Sequence, residues 1–207
     1  MSNLLIESLT NELTKTLPGE SAHKLMQLKP RSIFNQNIKL KNLKMASVLI
    51  CLYPNEGNWY FFLTKRTNLV YHHKGQISLP GGMIEIDEDP KLASLRETHE
   101  EIGINPKMIK IIGRLTSINV PISNFKIIPF IGWMGKKPKT IIQKEEVAKV
   151  FSVSITDLVD DDFQKKENRK IEENIVTVPY FYFKYEKVWG ATSIILSELK
   201  IILKRIL

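Results

Sequence analysis

The sequence predicts an α/β sandwich, and three observations predict it. Short apolar runs of strand character recur from Met45 almost to the C-terminus. Helical stripes stand at the beginning, in the middle and at the end of the chain. No segment repeats, so neither a solenoid nor a propeller is indicated, and helices interspersed among strands indicate layered packing.

The elements follow in order. Over residues 1–17, Leu5, Leu9, Leu13 and Leu17 stand four apart, the stripe of an amphipathic helix docked on a larger body. Residues 18–42 are polar, carry Pro18, Gly19 and Pro30, and read as connection. The main domain is expected over 43–207, with 1–42 as N-terminal helix and connection. Ala46–Tyr53 and Trp59–Lys65 flank the turn Pro54-Asn55-Glu56-Gly57, a hairpin pattern. Residues 66–88 look loop-rich, with Gly75 and the turn Pro80-Gly81-Gly82.

A helix is expected to begin at Asp89-Pro90. The Asp carboxylate can cap it, and the missing N–H of Pro90 costs nothing in the first turn. Gly103 is its expected stop, with Leu92, Leu95, His99 and Ile102 marking one side. Strand-like runs follow at 109–119, 126–133 and 147–154. A charged insert (159–174) precedes an aromatic strand over Val176–Tyr185, and an apolar-periodic helix over 191–206 closes the chain.

Composition narrows the class. The chain is 207 residues long, 43% hydrophobic and 25% charged, as in one ordinary globular domain. Its net charge of +8 is diffuse, without the Lys/Arg block of a nucleic-acid arm, so no nucleic-acid partner is expected. The single cysteine, Cys51, lies in an apolar run and reads as a buried strand thiol. A reducing cytoplasm is the expected setting. No signal peptide is evident, and no apolar segment approaches the roughly 20 residues that span a bilayer, so no membrane partner is expected.

The chemistry concentrates on the middle helix, which carries Glu97, Glu100 and Glu101. Spacings of three and four put all three carboxylates on neighbouring rows of one face, expected to be surface-facing. Like charges so placed repel by a few tenths of a kcal/mol per pair, and a hard divalent cation would turn the repulsion into ligation. A solvated acidic face is the plain alternative. Two neighbours argue against it: Arg96 can pair with a carboxylate, and the Gly81-Gly82 turn allows close backbone approach by phosphate or metal.

These residues resemble the Nudix box, Gly-x5-Glu-x7-Arg-Glu-U-x-Glu-Glu-x-Gly-U, where U is a bulky aliphatic. Gly82, Glu88, Arg96, Glu97, Glu100, Glu101, Gly103 and Ile104 all fit, and Thr98 at an aliphatic position is the one departure. Seven fixed letters at roughly 6% usage each would match by chance in about one chain in a million of this length. The resemblance implies a Nudix-type α/β/α sandwich with a mixed β-sheet and a Mg²⁺- or Mn²⁺-dependent pyrophosphohydrolase. It implies Glu97 and Glu101 as principal metal ligands and Glu100 as an additional one, with the Gly82 carbonyl as a further contact. Glu88 and Arg96 are implied as a supporting pair. The general base is implied to be a box glutamate or a later carboxylate, for which Glu146 and Glu145 are the candidates.

Upstream, Phe62-Leu63-Thr64-Lys65-Arg66-Thr67 leads through Gly75 to Leu79-Pro80-Gly81-Gly82. This is similar to the added signature of the coenzyme A pyrophosphatase branch, Leu-Leu-Thr-x-Arg-Ser-x3-Arg-x3-Gly-x-Val-x-Phe-Pro-Gly-Gly. Arg66, Gly75, Gly81 and Gly82 are implied to contact substrate. Tyr71 replaces the second Arg, a phenol where a guanidinium would fork a phosphate. His72 or Lys74 could stand in for it, although for His72 and His73 a surface-loop role is the simpler reading. Weaker segments of the same branch follow, among them Gly113-Arg114-Leu115 and Val188-Trp189-Gly190. The implied partner is a small nucleotide-type molecule, coenzyme A, cleaved to 4′-phosphopantetheine and adenosine 3′,5′-bisphosphate. A homodimer is a compatible assembly. The alternatives are a Nudix hydrolase of ADP-ribose, NADH or a dinucleoside polyphosphate, and a non-catalytic nucleotide-binding module.

Overall fold

The computed structural model describes residues 2–29, 43–67, 75–171 and 173–207. Its helices are α1 (Ser2–Leu13), α2 (Glu20–His23), α3 (Pro90–Ile102), α4 (Ile155–Val159) and α5 (Ala191–Leu203). The strands are β1 (Lys44–Asn55), β2 (Asn58–Arg66), β3 (Ile77–Ser78), β4 (Gly81–Met83), β5 (Lys110–Arg114), β6 (Ile118–Val120), β7 (Phe125–Trp133), β8 (Val147–Ser154), β9 (Gln164–Ile171), β10 (Asn174–Phe183) and β11 (Glu186–Val188). Residues 30–42, Tyr71, His72, His73 and Lys74 of the sequence reading lie outside the described residues.

The sheet is mixed. β1 runs parallel to β7 and antiparallel to β2 and β4, while β2 takes β3 and β8 antiparallel. β1 is buried on both faces, and its alternation assigns two cores. Ile50 and Leu52 face one side with Phe61 and Leu63 of β2, joined by Ile6, Leu9, Leu196 and Leu199 from α1 and α5. Leu49, Cys51 and Tyr53 face the other side with Phe62 and Ile102, beneath α3. Helices therefore cover both faces. Burial pushes the Cys51 thiol up to about 12, the behaviour of a structural thiol.

Several elements differ from the sequence expectation. The first helix ends at Leu13, though Leu17 still packs on the core. The segment expected as connection forms α2 and a 3-10 turn over Lys24–Met26, because Ala22 and Met26 are buried there. Within the 66–88 loop, β3 and β4 borrow their partners from β2 and β1. The 109–119 run divides into β5 and β6 around Leu115 and Thr116, where Thr116 gives its N–H to the Glu198 carboxylate. The charged insert contains a full strand, β9, antiparallel to β10 in a separate three-stranded sheet with β11. Its edge position allows Lys165, Lys166, Arg169 and Lys170 to stay solvated while the backbone pairs. The aromatic strand ends at Phe183, since Lys184 and Tyr185 take positive φ in the turn to β11. The last helix stops at Leu203.

α3 begins and ends as expected. Asp89 accepts from the N–H groups of Lys91 and Leu92, and Gly103 closes the helix at φ 72°. Its buried side, however, is Ala93, Ser94, Thr98, Glu101 and Ile102, while Leu92 and His99 are exposed. Ile102 and Leu95 pack there against Tyr53 and Phe62, and the small residues Ala93, Ser94 and Thr98 let the helix lie close to the sheet. Thr98 is satisfied there by donating to the Ser94 carbonyl at 2.7 Å.

A second buried carboxylate ties the N-terminal segment to the body. Glu198 of α5 is fully buried and accepts from Gly19 N at 2.9 Å, Thr116 N at 3.0 Å and Thr116 Oγ1 at 2.7 Å. The His23 Nε2 lies 3.2 Å from Oε2, the oxygen that also accepts from Thr116 N. Burial raises its pKa, but hydrogen bonds from His23, Thr116 and Gly19 outweigh this and hold the carboxyl below its ordinary range. Glu198→Ala strips partners from several buried donors at once and should cost about 3–5 kcal/mol. At about 2–4 °C per kcal/mol, a thermal melt should show a drop of about 6–20 °C.

Candidate active site

The site forms where the C-terminal half of α3, carrying Glu97 and Glu101, passes over the Pro80-Gly81-Gly82 turn. Gly82 pairs with Ser47 of β1, and a Cβ on Gly82 would collide with the Glu97 carboxylate. One on Gly81, at φ 148°, would collide with the Ser47 carbonyl. Two glycines are needed because the turn is squeezed between strand backbone and the Glu97 carboxylate.

Glu101 is 2% exposed, so the expectation of a surface-facing row fails for it. α3 presses that row against β4 and the end of β2. Its carboxylate accepts the Gly81 N–H at 3.2 Å and lies 3.7 Å from Arg66 Nη1. Burial pushes its pKa up to about 8; the Gly81 N–H and Arg66 oppose this, and the charges of Glu97 and Glu146 reinforce it. Glu97 is also raised, first by burial, against Arg96 and with help from Glu100 and Glu146.

Arg96 organises the outer side. Its Nε and Nη2 donate to the two oxygens of Glu88 at 2.8 and 3.0 Å, a bidentate pair, and Nη2 also donates to the Met83 carbonyl at 3.0 Å. Its Nη1 donates to both Glu97 and Glu100 at 2.9 Å. Glu88 accepts from Glu85 N and is held at about 2, chiefly by Arg96. Glu88 and Arg96 thus fasten the 84–89 loop to the helix and steer Glu97.

The expected residues are not all equivalent. Glu97 and Glu101 face the glycine turn, whereas the Glu100 side chain is 55% exposed and turned to Arg96. Among the described residues no three acidic, His or Cys side chains already form a cation cage. Glu146 is exposed in the turn before β8, close enough to raise both Glu97 and Glu101. Arg66 is nearby, its Nε buried without a hydrogen-bond partner. Gly75 stands at φ 66° after the 68–74 segment. Sequence reasoning missed Thr67, whose N–H and hydroxyl bind the Glu146 and Glu145 carbonyls at 2.9 Å each. A separate hollow of about 590 Å³, between α1 and β5, contains none of these residues.

The chemistry of the donor set suits a hard divalent cation. A buried and a half-buried carboxylate, both of raised proton affinity and both against a backbone turn, lack a compensating charge among the described residues beyond two guanidinium groups.

A family model described as the NUDIX domain matches residues 43–175. The chain belongs to the Nudix hydrolase family. Over 163 residues it is 33% identical to Nudix hydrolase 15, mitochondrial, of Arabidopsis thaliana, covering 74% of this chain and 56% of that protein. A Nudix hydrolase NudL of Enterobacter is 30% identical over 76% of this chain and 82% of its own length. The fold agrees with a MutT/nudix family protein from Enterococcus faecalis at TM-score 0.53 and 15% identity, over 79% of this chain and 63% of that one. This Nudix chain spans little more than half the length of its Arabidopsis relative. No helix among its described residues is long and apolar enough to cross a membrane.

The raised pKa of Glu101 has a stability consequence. Without metal, the unfolded chain ionises this carboxyl near its ordinary 4.5, while the folded chain holds the proton to about 8. Folding stability from this group is therefore full below about 4.5 and is lost as pH rises toward 8. Glu101→Gln should remove that loss. In EDTA at pH 8 its Tm should exceed that of the parent protein, and the advantage should vanish at pH 4.5.

Proposed function

We propose that this chain is a Mg²⁺-dependent pyrophosphohydrolase that cleaves coenzyme A or its derivatives to 4′-phosphopantetheine and adenosine 3′,5′-bisphosphate. The observation that carries the hydrolase reading is the convergence of half-buried Glu97 and buried Glu101 on the Gly81-Gly82 turn, with Glu146 facing them. Glu97 and Glu101, with the Gly82 carbonyl and Glu100 in addition, are the residues that would hold Mg²⁺ or Mn²⁺. When bound, the cation neutralises pyrophosphate oxygens and lowers the pKa of a water.

The remaining work falls to side chains. Glu146 stands free of any ion pair among the described residues and is assigned as the base that takes a proton from the attacking water. Arg66 can exchange its long contact with Glu101 for a substrate phosphate, and its buried Nε is a donor in waiting. Arg96 and Glu88 hold Glu97 in place and need not touch substrate.

Support for coenzyme A comes from the spacing of Arg66, Gly75 and Pro80-Gly81-Gly82, from the position of Arg66 beside Glu101, and from a net charge of +8 suited to a substrate with three phosphates. ADP-ribose and NADH share the pyrophosphate but lack the 3′-phosphate.

Glu97→Gln and Glu101→Gln should each lower turnover by about two or more orders of magnitude while leaving a folded protein. EDTA should abolish turnover and added Mg²⁺ should restore it. Near-parental turnover of either variant at saturating Mg²⁺ would show the ligand assignment to be wrong.

For the substrate, products from coenzyme A, dephospho-coenzyme A, ADP-ribose and NADH should be compared by mass spectrometry. Coenzyme A should be preferred. Loss of its 3′-phosphate should cost about 1.5–3 kcal/mol, roughly a tenfold to hundredfold fall in kcat/KM. With Tyr71 in place of a second Arg, the lower end is expected. A wide preference for ADP-ribose would leave only the general hydrolase reading.

A further inference from the structure

The segment Ile141–Val147 crosses the site as a strap tied at both ends. At one end it is fixed to the C-terminus of α3: Ile141 N donates to the Ile102 carbonyl at 2.9 Å and Gln143 N to the Glu101 carbonyl at 3.0 Å. The fit is close enough that a Cβ on Gly103 would lie 2.9 Å from Ile141. At the other end it is fixed to Thr67, the residue just beyond β2. Thr67 N donates to the Glu146 carbonyl and Thr67 Oγ1 to the Glu145 carbonyl, both at 2.9 Å. Within the strap, Glu146 N and Val147 N both donate to the Gln143 carbonyl, closing a tight turn.

The register explains how Thr67 reaches it. Between β2 and β8 the pairing passes from Lys65↔Lys149 to Arg66↔Val147, leaving Ala148 as an extra residue. Such a bulge turns the strand end and re-aims its side chains. Two consecutive residues then address the site in different ways: Arg66 through its guanidinium to Glu101, and Thr67 through its hydroxyl to the strap. Thr67 is buried, 6% exposed, and a buried hydroxyl needs a hydrogen-bond partner such as the Glu145 carbonyl.

We propose that Thr67 is a positioning residue for Glu146. The Glu146 side chain is exposed and has no bonded partner among the described residues, so its direction depends on the backbone beneath it. Fixing the carbonyls of the two peptides that flank the Glu146 Cα fixes its Cα–Cβ vector and aims the carboxylate at the space before Glu97 and Glu101. Holding a proton acceptor within hydrogen-bond reach of a bound water requires that kind of restraint. The proposal rests on Glu146 being the base.

The test is a double-mutant cycle on the full chain with Mg²⁺ and the best substrate of the panel. Thr67→Val keeps the shape and the N–H and removes only the hydroxyl. It should lower kcat about tenfold to hundredfold, leaving KM, the Mg²⁺ concentration for half-activation and Tm close to parental. Thr67→Ser should restore kcat. In a Glu146→Gln background, Thr67→Val should cause no further loss. Equal losses in both backgrounds, an effect confined to KM, or an unaltered kcat in Thr67→Val would overturn the positioning role while leaving the hydrolase reading intact. Full turnover of Glu146→Gln alone would instead remove the base assignment, and the positioning proposal with it.

Discussion

A carboxylate with almost no solvent contact, Glu101, lies where α3, β4 and the end of β2 meet, and the surroundings are arranged around its charge. Burial of an ion is expensive unless opposite charge and hydrogen bonds are supplied. Here the supply is partial: one backbone N–H and one guanidinium at 3.7 Å. The shortfall appears as a proton affinity near 8 and as strain shared with Glu97. Stability is being given up at the place where a cation would restore it. Such trade-offs are characteristic of sites built to bind rather than to hold a fold together.

The same logic explains the crowding nearby. Gly81 and Gly82 allow strand backbone and carboxylate to share a space that any side chain would close. Arg96 divides its donors among Glu88, Glu97, Glu100 and the Met83 carbonyl, so one cation holds a loop and a helix face together. Glu198, on the far side of the sheet, is the contrasting case. Its hydrogen bonds outnumber what burial costs, its pKa falls, and it acts as a clasp between α5, the N-terminal segment and Thr116. Two buried glutamates in one chain thus serve opposite ends, and the number of donors around each decides which.

Both sheet faces converge on this arrangement through β1. Its alternation sends Leu49, Cys51 and Tyr53 under α3 and Ile50 and Leu52 toward α5. Because its neighbours β4 and β7 lie on opposite sides, β1 sets the height of the glycine turn relative to the helix. β2 then brings Arg66 and Thr67 to the same end, one residue apart and directed to different targets.

By itself the sequence determined what local rules can encode. Asp89-Pro90 and Gly103 bound α3 because capping and positive φ are properties of a few adjacent residues. The β1–β2 hairpin followed from a turn between two apolar runs, and the clustering of three glutamates on one helix face followed from their spacing, with their chemical reading resting on the likeness to the Nudix box. Only the tertiary structure decided the rest. Of the side marked by Leu92, Leu95, His99 and Ile102, only Leu95 and Ile102 pack on the core, and Thr98 and Glu101 are buried beside them. Strand β9 was hidden by its charges, since an edge strand needs a partner backbone rather than an apolar face. The departure of Glu100 toward Arg96, the burial of Glu101 and the strap held by Thr67 all arise from contacts between residues far apart in the chain. Burial, and with it proton affinity, is a property of what packs against a residue, which no spacing within one helix can specify.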